Sequence, residues 1–524
     1  MTNNPLITGL MSARAYPHET ATIELIETHI SWVLLTGDYV YKIKKPVNFG
    51  FLDFSTLEKR RFYCQEELRL NQRFSRNIYL EVVAVSGSPS QPQMNGTGPA
   101  IEYAVRMRQF EAGSLLSERA EQGLLSSDDI DGIAKVVSAF HQTTLTAEAG
   151  SEYGEPQTIR HWCEENFDHI APLLHDTKTE MPQVERLQAW VANEWQEKAE
   201  QMRQRKQQGF VRECHGDLHL GNIALIEGNI TPFDCIEFNP MLRWIDVMSE
   251  IAFVLMDLDY RGFEPFSWRL LNAYLQQTGD YPGLGILRYY LVYRALVRAK
   301  VALLSEHQLG NVTERQHKHA EYAGHIALAG RYTQPAQPVL LLTHGFSGSG
   351  KSFHAGRLAE EIGAIHLRSD IERKRLFGFA ALDNTGSAAQ DGIYTANAGE
   401  QTYQHLADMA AIALQSGFHV IVDATFLKRT QRDLFLKMAQ SLSLPVRILD
   451  FTASVATLQQ RITRRRHLQN DASEATAEIL QQQLTSADAF GTDELKHTII
   501  IDTERQDTHA ALLLEITNLL HQEN

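Results

Sequence analysis

Two groups of residues in the 524-residue chain have types and spacings that could do chemistry. The first begins at GFSGSGKS, residues 345–352, where Gly345, Gly350, Lys351 and Ser352 keep the spacing of a phosphate-binding loop and Ser347, Gly348 and Ser349 fill its turn. Holding a phosphate takes backbone N–H groups that converge on the anion. That requires glycines, which permit the strained loop, and a helix N-terminus with its partial positive charge. Lys351 would reach the β- and γ-phosphates of a nucleotide, and the Ser352 hydroxyl would ligate Mg²⁺. PVLLLTH reads as a strand before the loop and FHAGRLAEEIG as a helix after it.

Three further pieces follow it. RSDIERKRLFG places Asp370 at the C-terminal end of a strand, where ligands of such sheets bind, with Arg373 one helical turn on. Asp370 would accept the proton of an acceptor hydroxyl, and Arg373 would anchor a substrate anion. HVIVD ends in Asp423, suited to a Mg²⁺ shell. RITRRRH holds Arg461, Arg464, Arg465 and Arg466; Arg461 and Arg465 share a helix face and would clamp the transferring phosphoryl group. The plainer readings are a helix N-cap for Asp370 and a solvated face for the arginines. At GFSGSGKS, the D-x-x-R of Asp370 and Arg373, the D-x-T of Asp423 and Thr425, and the arginine run, residues 336–524 resemble the P-loop kinases grouped with phage polynucleotide kinase, zeta toxins and gluconate kinase.

The second group is ECHGDLHLGN, a strand, then PFDCIEFN. His215, Gly216, Asp217 and Asn222 resemble the H-G-D-x-x-x-x-N catalytic loop of the aminoglycoside phosphotransferases, where protein kinases read H-R-D. With the chemistry of phosphoryl transfer, the resemblance makes Asp217 the base that meets the acceptor hydroxyl, and Asn222 and Asp234 the Mg²⁺ ligands. It further implies a strand lysine that contacts the nucleotide phosphates and pairs with a helical glutamate. YVYKIKKP offers Lys42 and Lys44, which alternate onto one face, with Lys42 favoured. In CQEELRLN the favoured partner is Glu67 and the alternative Glu66. His141 and Asp246 also match family positions, the one as a packed histidine and the other as a brace for the catalytic loop. No G-x-G-x-x-G loop is present, and the corner Glu27–Ser31 would serve in its place. Cys214 and Cys235 read as buried small apolar side chains.

The elements that must position these residues differ between the halves. Residues 21–44 alternate as strands with a turn at Thr36-Gly37-Asp38, a helix follows near 55–74, and strands near 78–85 and 100–107 flank a loop at 86–99. Helical periodicity holds from about 126 to 330, broken by a loop-rich stretch at 212–240. This predicts an N-terminal α+β, protein-kinase-like domain over 1–330, with an N-lobe to about 108. RYTQPAQP, residues 331–338, reads as a linker. Beyond it, at 339–524, five short apolar strands alternate with helices, which predicts an α/β domain with a five-stranded parallel sheet. The combination is similar to a bacterial two-domain family of aminoglycoside phosphotransferase-like proteins fused to a P-loop ATP-binding domain.

Composition narrows the function further. A net charge of −15 argues against broad binding to nucleic acid or anionic membrane. The N-terminus lacks the pattern of a signal peptide, and no apolar run reaches the length of a membrane span. Four dispersed cysteines without metal-ligand spacing fit a reduced, cytoplasmic enzyme. The leading expectation is a bifunctional kinase that uses ATP and Mg²⁺ on hydroxyl groups of small molecules. The competing expectations are that one domain is a nucleotide-binding regulatory module, or that the C-terminal domain phosphorylates polynucleotide ends or sugar nucleotides. The acidic residues Glu152, Glu155, Glu164, Glu165 and Asp168 read as solvated helix surface, or as a lure for a cationic acceptor.

Overall fold

The computed structural model describes residues 4–20, 22–50, 52–335, 337–381, 383, 392–468 and 476–523, without the side chains of 394, 465–468, 522 and 523. The chain opens with α1 (Pro5–Leu10), β1 (Glu24–Glu27), β2 (Ser31–Leu35), β3 (Tyr39–Lys44), α2 (Leu57–Asn71), β4 (Tyr79–Ser88), β5 (Gln91–Met94) and β6 (Glu102–Arg108). Next come α3 (Leu116–Glu121), α4 (Ser127–Thr143), α5 (Pro156–Ile170), α6 (Thr177–Gln207), β7 (Val211–Glu213), β8 (Ile223–Ile226), β9 (Asn229–Pro232) and β10 (Trp244–Asp246). Four helices follow: α7 (Val247–Tyr260), α8 (Glu264–Thr278), α9 (Leu284–Gln308) and α10 (Val312–Tyr332). The remainder is β11 (Leu340–His344), α11 (Lys351–Ile362), β12 (Ala364–Arg368), α12 (Ser369–Leu376), α13 (Ala396–Gln415), β13 (His419–Asp423), α14 (Arg429–Ser441) and β14 (Val446–Thr452). It closes with α15 (Val455–Leu468), α16 (Ala477–Ser486), α17 (Thr492–Leu495), β15 (Thr498–Asp502) and α18 (Thr508–Glu523). Packing sorts the chain into two compact units, Met1–Ile159 with Met202–Asp257, and Arg160–Gln201 with Leu258–Asn524.

The first unit is α+β. Its antiparallel sheet has the order β1-β2-β3-β6-β4-β5 and a core on each face. In β3 the two-residue period sends Tyr41 and Ile43 into the core with Ile7 and Leu10 of α1, and Val40 into the core with Cys64 of α2. Lys42 and Lys44 share the parity of Val40, so they face α2. The expected loop at 86–99 instead contains β5, which pairs with the end of β4. Its pattern is hidden because Pro92 and Met94, the buried positions, alternate with exposed glutamines rather than standing in an apolar run.

The second unit is α/β, with a five-stranded parallel sheet in the order β12-β13-β11-β14-β15. β12 is an edge strand, and α8 covers it. Asn272 Nδ2 donates to Ala364 O at 2.9 Å while its Oδ1 accepts from His366 N at 2.7 Å, so one side-chain amide stands in for a neighbouring strand. Gln276 donates to His366 O at 3.3 Å. These bonds place α8, which precedes the proline seam, in one compact unit with the sheet that follows it.

Two candidate active sites

In the first unit the hairpin β8–β9 sets the geometry. Ile223 pairs with Pro232 and the Phe233 N–H donates to Asn222 O at 3.0 Å, so the end of the catalytic loop lies against the residue before Asp234. Asn222 Nδ2 donates to Asp217 Oδ2 at 3.0 Å and to Asp217 O at 2.9 Å. His219 Nδ1 accepts from the Gly221 N–H, which leaves its proton on Nε2, 3.5 Å from Asp217 Oδ2. Gly216 has φ +90°, and a Cβ there would stand 2.8 Å from Leu242 O, which excludes the arginine found at this place in protein kinases.

Lys42 and Lys44 both pair with Glu67. Lys42 Nζ lies 2.9 Å from Glu67 Oε1 and also binds Asp234; Lys44 Nζ lies 2.6 Å from Glu67 Oε2 and also binds Glu237. Lys42 is therefore no surface lysine, and it is the one of the two that reaches Asp234. Burial opposes the charge on Lys42, yet Asp234 and Glu67 outweigh it and hold the ammonium well above its usual range. Burial likewise opposes the Glu67 carboxylate, but the two lysines bring it down to about 2. The alternative partner Glu66 faces elsewhere, paired with Arg69 at 2.9 Å and Arg243 at 3.5 Å. Asp234 has φ +65°, a costly conformation for a residue with a side chain. Its N–H donates to Tyr79 Oη at 3.1 Å, and its side chain, 40% exposed, is free on one side to meet a cation.

The brace of the catalytic loop is not the expected residue. Asp246 accepts from Arg205 at 2.8 and 2.9 Å and from the Met248 N–H, within its own helix start. Glu250, one turn on, takes the loop itself, accepting from the N–H groups of His215 at 2.6 Å and Gly216 at 2.8 Å. His141 is buried with its Nε2 3.7 Å from Glu250, as a packed histidine should be. Burial raises the Glu250 carboxyl, and His141 and His215 outweigh that and hold it at about 2. The Glu27–Ser31 corner is shaped by Thr28, whose Oγ1 accepts from the N–H groups of Ile30 and Ser31. Cys214 and Cys235 are buried, as expected.

The phosphate loop of the second unit is built from backbone. Gly345, Gly348 and Gly350 all have positive φ, and at Gly348 a Cβ would stand 2.7 Å from Leu458 O. Gly350 is the N-cap of α11 and gives it no side-chain cap, so the first N–H groups of the helix face the loop's hollow. Lys351 and Ser352 open that helix. Asp423 ends β13 and is buried. Its Oδ2 lies 3.3 Å from His366 Nε2, and its Oδ1 is buried without a hydrogen bond. Burial raises its carboxyl, but His366, Lys351 and Arg368 outweigh that and bring it to about 2. An ionised oxygen left unpaired beside a phosphate loop and the Ser352 position fits a Mg²⁺ ligand set.

The acceptor side starts where β12 turns into α12. Arg368 is the N-cap, so Asp370 sits inside the first turn and is not the cap. Glu372 anchors the helix: it is fully buried and accepts from Tyr281 Oη at 3.1 Å, Arg375 Nε at 3.0 Å and His405 Nε2 at 3.3 Å. Arg373 donates to Ile393 O at 3.0 Å. Burial raises the Tyr403 hydroxyl, which lies 3.4 Å from Thr425 Oγ1 and feels smaller opposing effects from Arg373 and Asp370. Arg461 is engaged differently from the expected clamp. It donates to Thr503 O and Oγ1 at 2.9 Å each and to Gly348 O at 3.4 Å, tying the phosphate loop to the end of β15. The side chains of Arg465 and Arg466 lie outside the described residues.

Sequence reasoning missed Glu250, Glu237, Tyr79, His366, Tyr403 and Gln483. Gln483 of α16 accepts from the Ser347 N–H at 2.9 Å and donates to Ser347 Oγ at 3.1 Å. The acidic residues of 152–168 are largely matched rather than bare: Glu155 pairs with Lys206, Glu164 with Arg160, Glu165 with Lys300.

The family model described as an AAA domain matches residues 340–490. The Mycobacterium tuberculosis protein Rv2004c, itself uncharacterised, is 30% identical over 460 residues, covering 87% of this chain and 88% of its own. A Ralstonia eutropha structure described as a candidate aminoglycoside phosphotransferase is 14% identical, covers 63% of this chain and 97% of its own, and has a TM-score of 0.36. A gluconokinase from Sinorhizobium meliloti is 21% identical, covers 36% of this chain and 99% of its own, and has a TM-score of 0.26. Among the described residues no helix is long and apolar enough to cross a membrane.

Proposed function

The chain belongs to the family of the M. tuberculosis protein Rv2004c, and on that footing we propose that it is a bifunctional phosphotransferase, with one ATP- and Mg²⁺-dependent site in each compact unit. What supports the reading is, in the first unit, Asn222 bonded to Asp217 and lying against the residue before Asp234, and in the second an unpaired, buried Asp423 oxygen in the domain of the phosphate loop. In the first unit Asp217, held by Asn222 and His219, takes the proton of the acceptor hydroxyl. Lys42 meets the nucleotide phosphates, kept charged by Glu67, while Asn222 and Asp234 hold the metal. In the second unit the loop from Gly345 to Ser352 cradles the phosphates and Lys351 steadies the β- and γ-oxygens. Ser352 and Asp423 hold the metal, Asp370 takes the proton, and Arg373 fixes an anionic part of the acceptor. Mg²⁺, when bound, would offset the negative charge of the phosphate oxygens. The acceptors are small molecules with hydroxyl groups, and the net charge of −15 disfavours polynucleotides.

The test uses the full chain, because a cut at the proline seam would strip Asn272 from β12. Wild type, Asp217→Asn and Lys351→Ala are incubated with labelled ATP and a fractionated metabolite extract, and phosphorylated products are read by mass spectrometry. Each variant is expected to lose one product set by about 10³-fold and to keep the other. If neither variant changes any product, the proposal fails. If one variant changes nothing while the other abolishes all turnover, one unit is a regulatory module.

A further inference from the structure

We propose that His175, Glu306 and His319, residues that neither phosphotransfer site uses, form a transition-metal site of the Zn²⁺ type in the helical part of the second unit. They come from separate places: His175 from the turn before α6, Glu306 from the last turn of α9, and His319 from α10. One ligand atom from each lies within 4.8 Å of the other two. Glu306 is the buried member, its Oε1 2.6 Å from His175 Nε2 and its Oε2 3.1 Å from His319 Nδ1. Two imidazoles and a carboxylate select Zn²⁺, Co²⁺ or Ni²⁺ over the oxygen-seeking Mg²⁺ of the active sites. Three protein ligands leave a fourth position for water, and partly exposed His175 and His319 leave a way in.

The neighbours of the cluster bear on what it holds. His319 lies between two carboxylates, its Nε2 3.0 Å from Glu180 Oε1 and its Nδ1 3.1 Å from Glu306 Oε2, so a neutral ring gives a proton to one of them and turns a lone pair toward the other. A lone pair and a carboxylate oxygen at 3.1 Å repel one another unless a second proton or a metal ion lies between them. An imidazole that ligates through one nitrogen and gives its other N–H to a carboxylate is how metal sites orient their histidines. His307 stacks on His175 with centroids 5.4 Å apart and planes at 2°, which fixes the His175 ring. Tetrahedral coordination with bonds near 2.0–2.1 Å needs ligand atoms about 3.3 Å apart, so from separations that reach up to 4.8 Å here seating an ion asks for side-chain shifts of up to about 1.5 Å.

The rival arrangement, a proton rather than a metal ion between His319 and Glu306, gives no metal-dependent spectrum. Full-length protein without an affinity tag is stripped with a chelator, given excess Mg²⁺, and titrated at pH 8 with Co²⁺. One equivalent is expected to raise the visible d–d bands of a four- or five-coordinate ion, and Zn²⁺ to abolish them. The double variant His175→Ala/His319→Ala removes the bands, whereas His354→Ala/His509→Ala, a histidine pair elsewhere in the unit, keeps them. Should the first double variant fail to fold, Glu180→Gln serves: it leaves the ligands in place and lowers Co²⁺ affinity by about tenfold or more. Wild-type protein that gives no bands at pH 8, bands that persist in His175→Ala/His319→Ala, or a Glu180→Gln protein of unchanged affinity overturns the assignment.

Discussion

The two nucleotide sites answer one problem, how to hold a polyanion beside a base, with different materials. In the first unit the answer is side-chain charge: Asp234, Lys42, Glu67, Lys44 and Glu237 form a continuous run of ion pairs, mostly buried. In the second it is backbone: three glycines with positive φ, an uncapped helix start, and one carboxylate oxygen left without a partner. A buried charge run stabilises the fold only while every member is present, since removing one strands another in low dielectric. A backbone cradle asks little of any single side chain for its stability. Catalysis and folding are therefore coupled in the first unit and separable in the second.

The largest effect that would break this contrast is at Glu67. Glu67→Gln leaves two buried ammonium groups one carboxylate short, and is expected to cost the first unit about 3–5 kcal/mol. Lys351→Ala, which removes the corresponding phosphate-binding charge of the second unit, is expected to cost less than about 1 kcal/mol. Calorimetry of the two full-length variants checks this through the separate transitions of the two units. Equal losses would mean that the charge run contributes nothing beyond an ordinary ion pair.

What could be read from sequence follows the same divide. The glycine loop and the loop from His215 to Asn222 are local, and their spacing alone brings the named atoms together. Lys42 and Glu67 were within reach because strand parity puts Lys42 and Lys44 on one face, though only packing against α2 separates Glu67 from Glu66. The residues that escaped are side chains bonded to distant backbone: Gln483 to Ser347, Asn272 to Ala364 and His366, Glu250 to His215 and Gly216. Any polar residue in those helices would look the same in one dimension, because such a bond imposes no periodicity and no spacing. The strand β5 was hidden for a similar reason, since its burial rests on Pro92 and Met94 among polar neighbours.

The strongly depressed carboxylate of Asp423 in the second unit gives a smaller effect with a definite sign. Asp423, at about 2 in the folded chain against an ordinary 3.8, contributes stability above pH 4 that is lost as pH falls toward 2. The full difference amounts to about 2 kcal/mol. Asp423→Asn is expected to flatten the acid limb of the second unit's stability between pH 4 and 2 by that amount. An unchanged limb would mean that Asp423 is not held ionised by His366 and Lys351.

The smallest effect sharpens the claim that the second cradle is made of backbone, because Gln483 is the one described side chain that grips its turn at both ends of a serine. Gln483 fixes Ser347 through an N–H and a hydroxyl, so its loss frees the loop to sample shapes that no longer converge on phosphate. It contacts the loop and not the reacting atoms, which makes it a positioning residue. Gln483→Ala is expected to cost about 1 kcal/mol of nucleotide binding, a rise of about fivefold in KM for ATP at the second site, with kcat nearly unchanged. Gln483→Glu keeps the acceptor for the Ser347 N–H and should recover part of that loss, while the product set that depends on Asp217 stays as in wild type. A fall in kcat with KM unmoved would place Gln483 among the groups that meet the transition state, and the cradle could then no longer be called a structure of backbone alone.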